Sequence, residues 1–183
     1  MAPSTHDLAA VWEAHVAAEF EAKDADAAVA TMCADAYLLH VPVATGARGV
    51  DALRRFYADV FIPSWPDDTE VIPGSRTADD SRIVDELLVT GTHDRPMPFW
   101  LPGVAPTGRR FEVLHAAVVE FRDGLIASEH IYWDQASVLV QLGLLTDAES
   151  LPVLGVAQTR AYTDPTYPLN ELIERSSGAR GER

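Results

Sequence analysis

The stretch that decides the fold is Phe111-Glu112-Val113-Leu114-His115-Ala116-Ala117-Val118-Val119-Glu120-Phe121, then Arg122-Asp123-Gly124, then Leu125-Ile126-Ala127-Ser128-Glu129-His130-Ile131-Tyr132-Trp133. Two runs rich in β-branched and aromatic residues flank an Asp-Gly pair. That pattern reads as an antiparallel hairpin with a two-residue turn. Asp134 follows directly and stands before a short helical segment, Gln135 to Leu142, closed by Gly143. An Asp at that place is a natural N-cap, and a glycine after the last turn is a natural stop.

Working outward, Ser81 to His93 reads as a long strand and Val71-Ile72 as a short one. Between the long strand and the hairpin, Arg95 to Gly103 carries three prolines and cannot be a regular central strand. Upstream, Leu8, Val11, Trp12, His15, Val16 and Phe20 recur at helical spacing, with Thr5 or Asp7 as cap. Asp24 caps a second short helix with Ala27, Ala28, Val29 and Met32, which takes in Cys33. Tyr37 to Val41 reads as a strand stopped by Pro42, with a glycine turn at Gly46 and Gly49. A third helix spans Val50 to Phe61, ended by Pro63 and Pro66. Helices first and antiparallel strands after them argue for an α+β fold. Residues 1–146 form the domain, and residues 147–183 form an extended arm and tail. Leu151 to Leu169 has three prolines and no clear period, and Ser176 to Arg183 is small and polar.

The 183 residues are 48 % hydrophobic and carry a formal net charge of −14. Such a chain can bury one core, and its surface repels nucleic acid and anionic membranes. Cys33 is the only cysteine, which excludes an intrachain disulfide and fits a cytoplasmic, reducing setting. It reads as a buried structural thiol. No signal peptide and no membrane-length apolar run is visible.

The element order, the hairpin Glu120 to Ile126, the strand end Glu129-His130-Ile131-Tyr132-Trp133-Asp134 and the following Gln141-Leu142-Gly143-Leu144-Leu145 resemble the SnoaL-like family of the NTF2-like superfamily, which includes polyketide cyclases. The resemblance covers roughly Leu8 to Leu145. It implies a cone: N-terminal helices packed on a curved antiparallel sheet that encloses a pocket. It also implies a catalytic acid/base near the end of the last strand, the position of Asp134, and chemistry without metal or cofactor.

Candidate site residues follow from strand parity. His130, Tyr132 and Asp134 share one face of their strand, taken here as the pocket face. His115 shares its face with Phe111, Val113, Ala117, Val119 and Phe121. His93 closes the long strand, and His40 sits on the first strand. Phe99, Trp100 and Tyr132 read as an apolar pocket mouth. Asp134, His130, His93 and His115 are thus the catalytic candidates. Tyr132, Trp100, His40 and Phe99 are the substrate-binding candidates. His6 and His15 read as helix residues without function. No short-spaced metal motif, phosphate loop or nucleophile elbow is present.

The expected activity is cofactor-independent proton transfer on a small, largely apolar carbonyl compound, as in a cyclase or isomerase. A histidine would donate to the developing enolate oxygen. Epoxide- or lactone-type hydrolysis is a second reading. Asp85 offers a second acid for it, but no arginine lies clearly on an inner strand face, since Arg109 and Arg110 sit at a strand entrance. A non-catalytic binder of a small hydrophobic molecule is a third. Leu114, Ala116, Val118, Ile131 and Trp133, assigned to the opposite sheet face, form an apolar surface that predicts a homodimer.

Overall fold

The computed structural model describes residues 7–181, so Thr5 and His6 lie outside the described residues. Helices α1 (Leu8–Phe20) and α2 (Ala25–Ala30) open the chain. Asp7 caps the first, accepting from the Ala10 amide, and Asp24 caps the second. Strands β1 (Met32–His40) and β2 (Thr45–Arg48) come next. Helix α3 (Val50–Phe56) continues as a wider turn through Phe61 and a 3-10 turn to Ser64. Strands β3 (Glu70–Ala78), β4 (Arg82–Thr92), β5 (Arg110–Arg122) and β6 (Leu125–Trp133) complete the sheet, and α4 (Gln135–Gln141) follows. The six strands run in the order β2-β1-β6-β5-β4-β3, antiparallel except for the β1–β6 pair. This is the expected α+β cone.

Cys33 corrects the helix expectation. The strand starts at Met32, and the buried thiol lies against the carbonyls of Arg122 and Leu125. The arm is also not simply extended. It carries α5 (Ala157–Thr163) and, beyond it, α6 (Glu171–Gly181). The arm returns to its own domain: Thr159 Oγ1 donates to the Glu112 carbonyl at 3.0 Å, and Ser137 Oγ donates to the Gly155 carbonyl at 3.0 Å. Helix α5 is only seven residues long and α6 is mostly polar, so neither shows an apolar period in the sequence.

The hairpin turn is as read, with Asp123 and Gly124 both at positive φ (54° and 79°). Past it, the ladder shifts. Phe121 pairs with Ile126, but Glu120 pairs with Ser128, so Ala127 is an extra residue. Without that bulge, His115 would face Tyr132. With it, His115 faces Trp133, and Ala117 faces Ile131. A one-residue slip turns every side chain of a strand to the other face. Glu129, Ile131 and Trp133 therefore point into the cone, and His130 and Tyr132 point out. This corrects the parity assumed for β6.

Candidate functional site

The inner face of the sheet is built from Leu38 and His40 of β1, Leu87 and Val89 of β4, His115 and Ala117 of β5, and Glu129, Ile131 and Trp133 of β6. Trp12, Val16, Glu19 and Phe20 of α1 close over it, with Phe61, Trp65, Phe99 and Trp100 from the connections. Together they enclose a cavity of about 60 Å³. A wider groove of about 730 Å³, between α1 and strands β3–β4, shares Trp12, Val16, Glu19, Phe20, Trp65 and Leu87 with it. The cavity is thus the deep end of a groove that opens to solvent.

Two of its wall residues are carboxylates, and one histidine holds both. His15 Nε2 lies 3.2 Å from Glu19 Oε1 and 3.2 Å from Glu129 Oε1. His15 Nδ1 bonds to Thr31 Oγ1 at 2.7 Å and to the Ala28 carbonyl at 3.1 Å. Both ring nitrogens therefore face acceptors, the pattern of an imidazolium. Burial alone would lower the His15 pKa, but the charges of Glu129 and Glu19 and the bonds to Glu19 and Ala28 raise it to about 9. Glu129 is 2 % exposed. Burial and the Glu19 charge push its carboxyl up to about 7, against the lowering effects of His15 and of Tyr57. Tyr57 OH stands 3.5 Å from Glu129 Oε1. Among the described residues, His15, Glu19 and Glu129 are the one set whose ligand atoms lie close enough together to hold a metal ion. Their 3.2 Å contacts equally suit protons shared between them.

The sequence marks none of these four residues as functional, and it reads His15 as an ordinary helix residue. One signal was available. His15 and Glu19 are four apart on α1 and share a helix face.

The sequence candidates divide. His40, His115, Phe99 and Trp100 line the cavity. His130 and Tyr132 do not: Tyr132 is 41 % exposed, and His130 packs edge-on against Tyr37 on the outer face. Asp134 is exposed and accepts from the amides of Ala136 (2.9 Å) and Ser137 (3.2 Å), so it caps α4. His93 is buried outside the cavity lining, and burial lowers its pKa. Its Nδ1 accepts from the Thr107 amide, which ties down the proline-rich loop.

At the groove, Arg76 of β3 forms a two-pronged pair with Asp85 (2.7 and 2.8 Å) and reaches Glu13 at 2.9 Å. Trp12 Nε1 donates to the same Asp85 at 2.8 Å. An arginine does therefore face the groove, contrary to expectation. It reaches inward where β3 bulges between Pro73 and Arg76.

Comparison with known proteins agrees with the architecture. A family model described as a SnoaL-like domain matches residues 12–129. A protein from Jannaschia sp. CCS1, assigned as a SnoaL-like polyketide cyclase, superposes with a TM-score of 0.59 at 20 % identity, covering 72 % of this chain and 90 % of its own. TsrD from Streptomyces laurentii gives 0.61 at 19 %, covering 79 % and 99 %. A protein of ketosteroid isomerase-like fold from Catenulispora acidiphila, solved with trimethylamine, gives 0.57 at 19 %, covering 75 % and 95 %. At such identities the likeness shows the fold alone. No curated protein matches the sequence. Among the described residues, no helix is long and apolar enough to cross a membrane.

Proposed function

The chain belongs to the SnoaL-like domain family, and on that premise we propose that it is a cofactor-independent acid/base enzyme of the cyclase or isomerase type, acting on a small, largely apolar carbonyl compound. The observation that carries this reading is Glu129. A buried carboxylate on a cavity wall, with its pKa pushed up to about 7, both takes and returns a proton near neutrality.

Glu129 removes a proton from the carbon next to the carbonyl. The C–H electron pair moves toward the carbonyl oxygen, giving an enolate, and the proton rests on Glu129. Returning it to another carbon completes an isomerisation. Attack of the enolate carbon on a second carbonyl, whose oxygen takes the proton back from Glu129, completes a cyclisation. His15, charged and 3.2 Å away, and Tyr57 hold the carboxylate in place. His115 cannot be the donor to the enolate oxygen, because its one ring N–H goes to the Val113 carbonyl. The donors at hand are the indole N–H groups of Trp65 and Trp100, both cavity-wall residues and both without a protein partner.

The test is α-proton exchange on a panel of small cyclic ketones and 1,3-diketones in D₂O, followed by proton NMR. Wild type is expected to exchange at least one member well above the buffer rate, and Glu129→Gln to lose that rate. A wild type that binds these compounds and never exchanges them is a binding protein. Exchange is also expected to survive chelators, in protein without stoichiometric metal by elemental analysis.

Hydrolysis by activated water is the second reading, favoured by the Glu13–Arg76–Asp85 arrangement. It ranks lower because Asp85 is already held by Trp12 and by two Arg76 N–H groups, and it lines the groove rather than the cavity. A homodimer remains part of the proposal. Half-buried Leu114, Ala116 and Val118 with exposed Tyr132 leave an apolar patch on the outer sheet face, flanked by Glu86 and His130, although Ile131 and Trp133 no longer belong to it. Sedimentation equilibrium giving 19.9 kDa at micromolar concentration would remove the dimer.

A further inference from the structure

The cavity carries two histidines that proton transfer by Glu129 leaves unused. His40 ends β1 and is 3 % exposed, and His115 lies mid-way along β5 at 8 %. Their neighbours fix their tautomers. Thr45 Oγ1 donates its one hydrogen to the Phe99 carbonyl at 2.6 Å. Its oxygen can therefore only accept from His40 Nδ1, 3.1 Å away. The Val113 carbonyl can only accept, so His115 Nδ1 carries the hydrogen at 3.1 Å. In both rings Nε2 is left as a bare lone pair, with no protein partner among the described residues.

The cavity walls satisfy neither lone pair: the unpartnered indole N–H groups of Trp65 and Trp100 bond to neither ring. His40 packs among Phe56, Phe61 and Phe99, with ring centroids 5.5–5.9 Å away. His115 stacks on Trp100 with planes 27° apart, so the in-plane indole N–H runs alongside the imidazole rather than into it. The Trp133 indole N–H, beside both histidines, is engaged by Gln135 Oε1. Two unmet acceptors in an apolar, aromatic cavity form a site that asks for hydrogen-bond donors.

We infer that His40 and His115 form a hydroxyl-reading pair: each Nε2 accepts a hydrogen bond from substrate O–H, so the carbonyl compound taken here bears a hydroxyl, phenolic or enolic hydroxyls included. The inference rests on taking this cavity as the substrate site, and not on which group moves the proton. A neutral donor fits better than a cation. Burial holds the two rings uncharged, His40 down at about 3 with help from His115 and His115 at about 4, and would disfavour a charged ligand beside them equally. The Glu129 charge is already faced by His15.

The experiment measures binding of phenol, anisole and phenyltrimethylammonium to the full chain by calorimetry. Phenol donates a hydrogen bond, its methyl ether cannot, and the third probe carries charge without a donor. Phenol is expected to bind on the order of 10-fold or more tighter than anisole, the scale of one well-made hydrogen bond in a buried site. His40→Leu and His115→Leu should bring the ratio toward one. His40→Gln and His115→Gln, which keep an acceptor near the Nε2 position, should preserve much of it. If the leucine variants do not fold, the wild-type ratio decides alone. Equal affinity for phenol and anisole, binding of neither, or tighter binding of phenyltrimethylammonium would each overturn the inference. Failure of the proton-transfer reading looks different. Glu129→Gln would then keep full exchange while the phenol preference stands.

Discussion

Glu129 and Asp134 are carboxylates five residues apart at the end of one strand, and the fold gives them opposite surroundings. Glu129 lies inside the cone, is held by His15, and has its pKa raised to about 7. Asp134 lies outside it, in water, bound to two amides at the start of α4. Either residue type at either place is a chemically adequate base. What separates them is burial and charge, and burial here is set by register. The extra residue Ala127 turns Glu129 inward and sends His130 and Tyr132 to the outer face. The lesson is that the identity of an acid near a strand end carries little functional meaning until the register of that strand is known.

Neutralising each acid without changing its shape tests this contrast most directly. Glu129→Gln is expected to lower α-proton exchange by roughly 10²- to 10⁴-fold, the contribution of a positioned general base. Asp134→Asn should stay within about two-fold of wild type, because Asn caps a helix as well as Asp does. NMR exchange rates on the same ketone check both. Equal losses in the two variants would mean that the cavity is not the reaction site.

Most of the architecture is legible in the sequence. The hairpin, the long strand, the helix after Asp134 and the α+β order all follow from local chemistry: β-branched runs, an Asp-Gly turn, helical spacing, a cap and a stop. The face assignment of β5 is right because its two ends, where Glu112 sits between Phe111 and Val113 and Glu120 between Val119 and Phe121, set the alternation. That of β6 was wrong because a bulge has no local signature. Ala127 is an ordinary small residue inside an ordinary strand. The cluster was hidden for a different reason. His15 and Glu19 on α1, Tyr57 after α3 and Glu129 on β6 are brought together only by packing. His40 and His115 were found as candidates, but their acceptor role depends on Thr45, Phe99 and Val113, which no motif links to them.

Acidity gives a second, smaller effect. The carboxylate form of Glu129 is the base, so exchange should rise with pH and level off through a midpoint near 7. Stability should move the other way on the alkaline side. The folded pKa of His15, about 9, lies above its ordinary 6.5. A raised value means that the folded chain holds the proton more tightly. The resulting stabilisation is full below about 6.5 and is lost as pH rises through about 9. Glu129, raised from 4.5 to about 7, adds a loss of the same sign at lower pH. Urea midpoints should therefore fall between pH 6.5 and 9, and Glu129→Gln should flatten that fall. A wild-type midpoint unchanged over this range would mean that His15 is not the charged partner of the two carboxylates.

The smallest expected effect isolates the work of Asp134. Its side chain satisfies two amides at the first turn of α4, a helix of only seven residues. Alanine removes the one oxygen, Oδ1, that accepts both bonds, and such a loss destabilises by about 1 kcal/mol, within a range of ~0.5–2. The rest of α4 should hold. Gln141 bonds the backbone of Glu112 in both directions, at 2.8 and 2.9 Å, and Ser137 ties the helix to the arm at Gly155. Helix α4 should therefore stay folded in the native state of Asp134→Ala, and only the global urea midpoint should drop. The asparagine variant should keep the wild-type midpoint. Exchange on the ketone probe should be unchanged in both, since neither touches the cavity. An alanine variant with full stability and lost exchange would reverse the assignment: Asp134 would then act on the substrate, and the cap would be incidental.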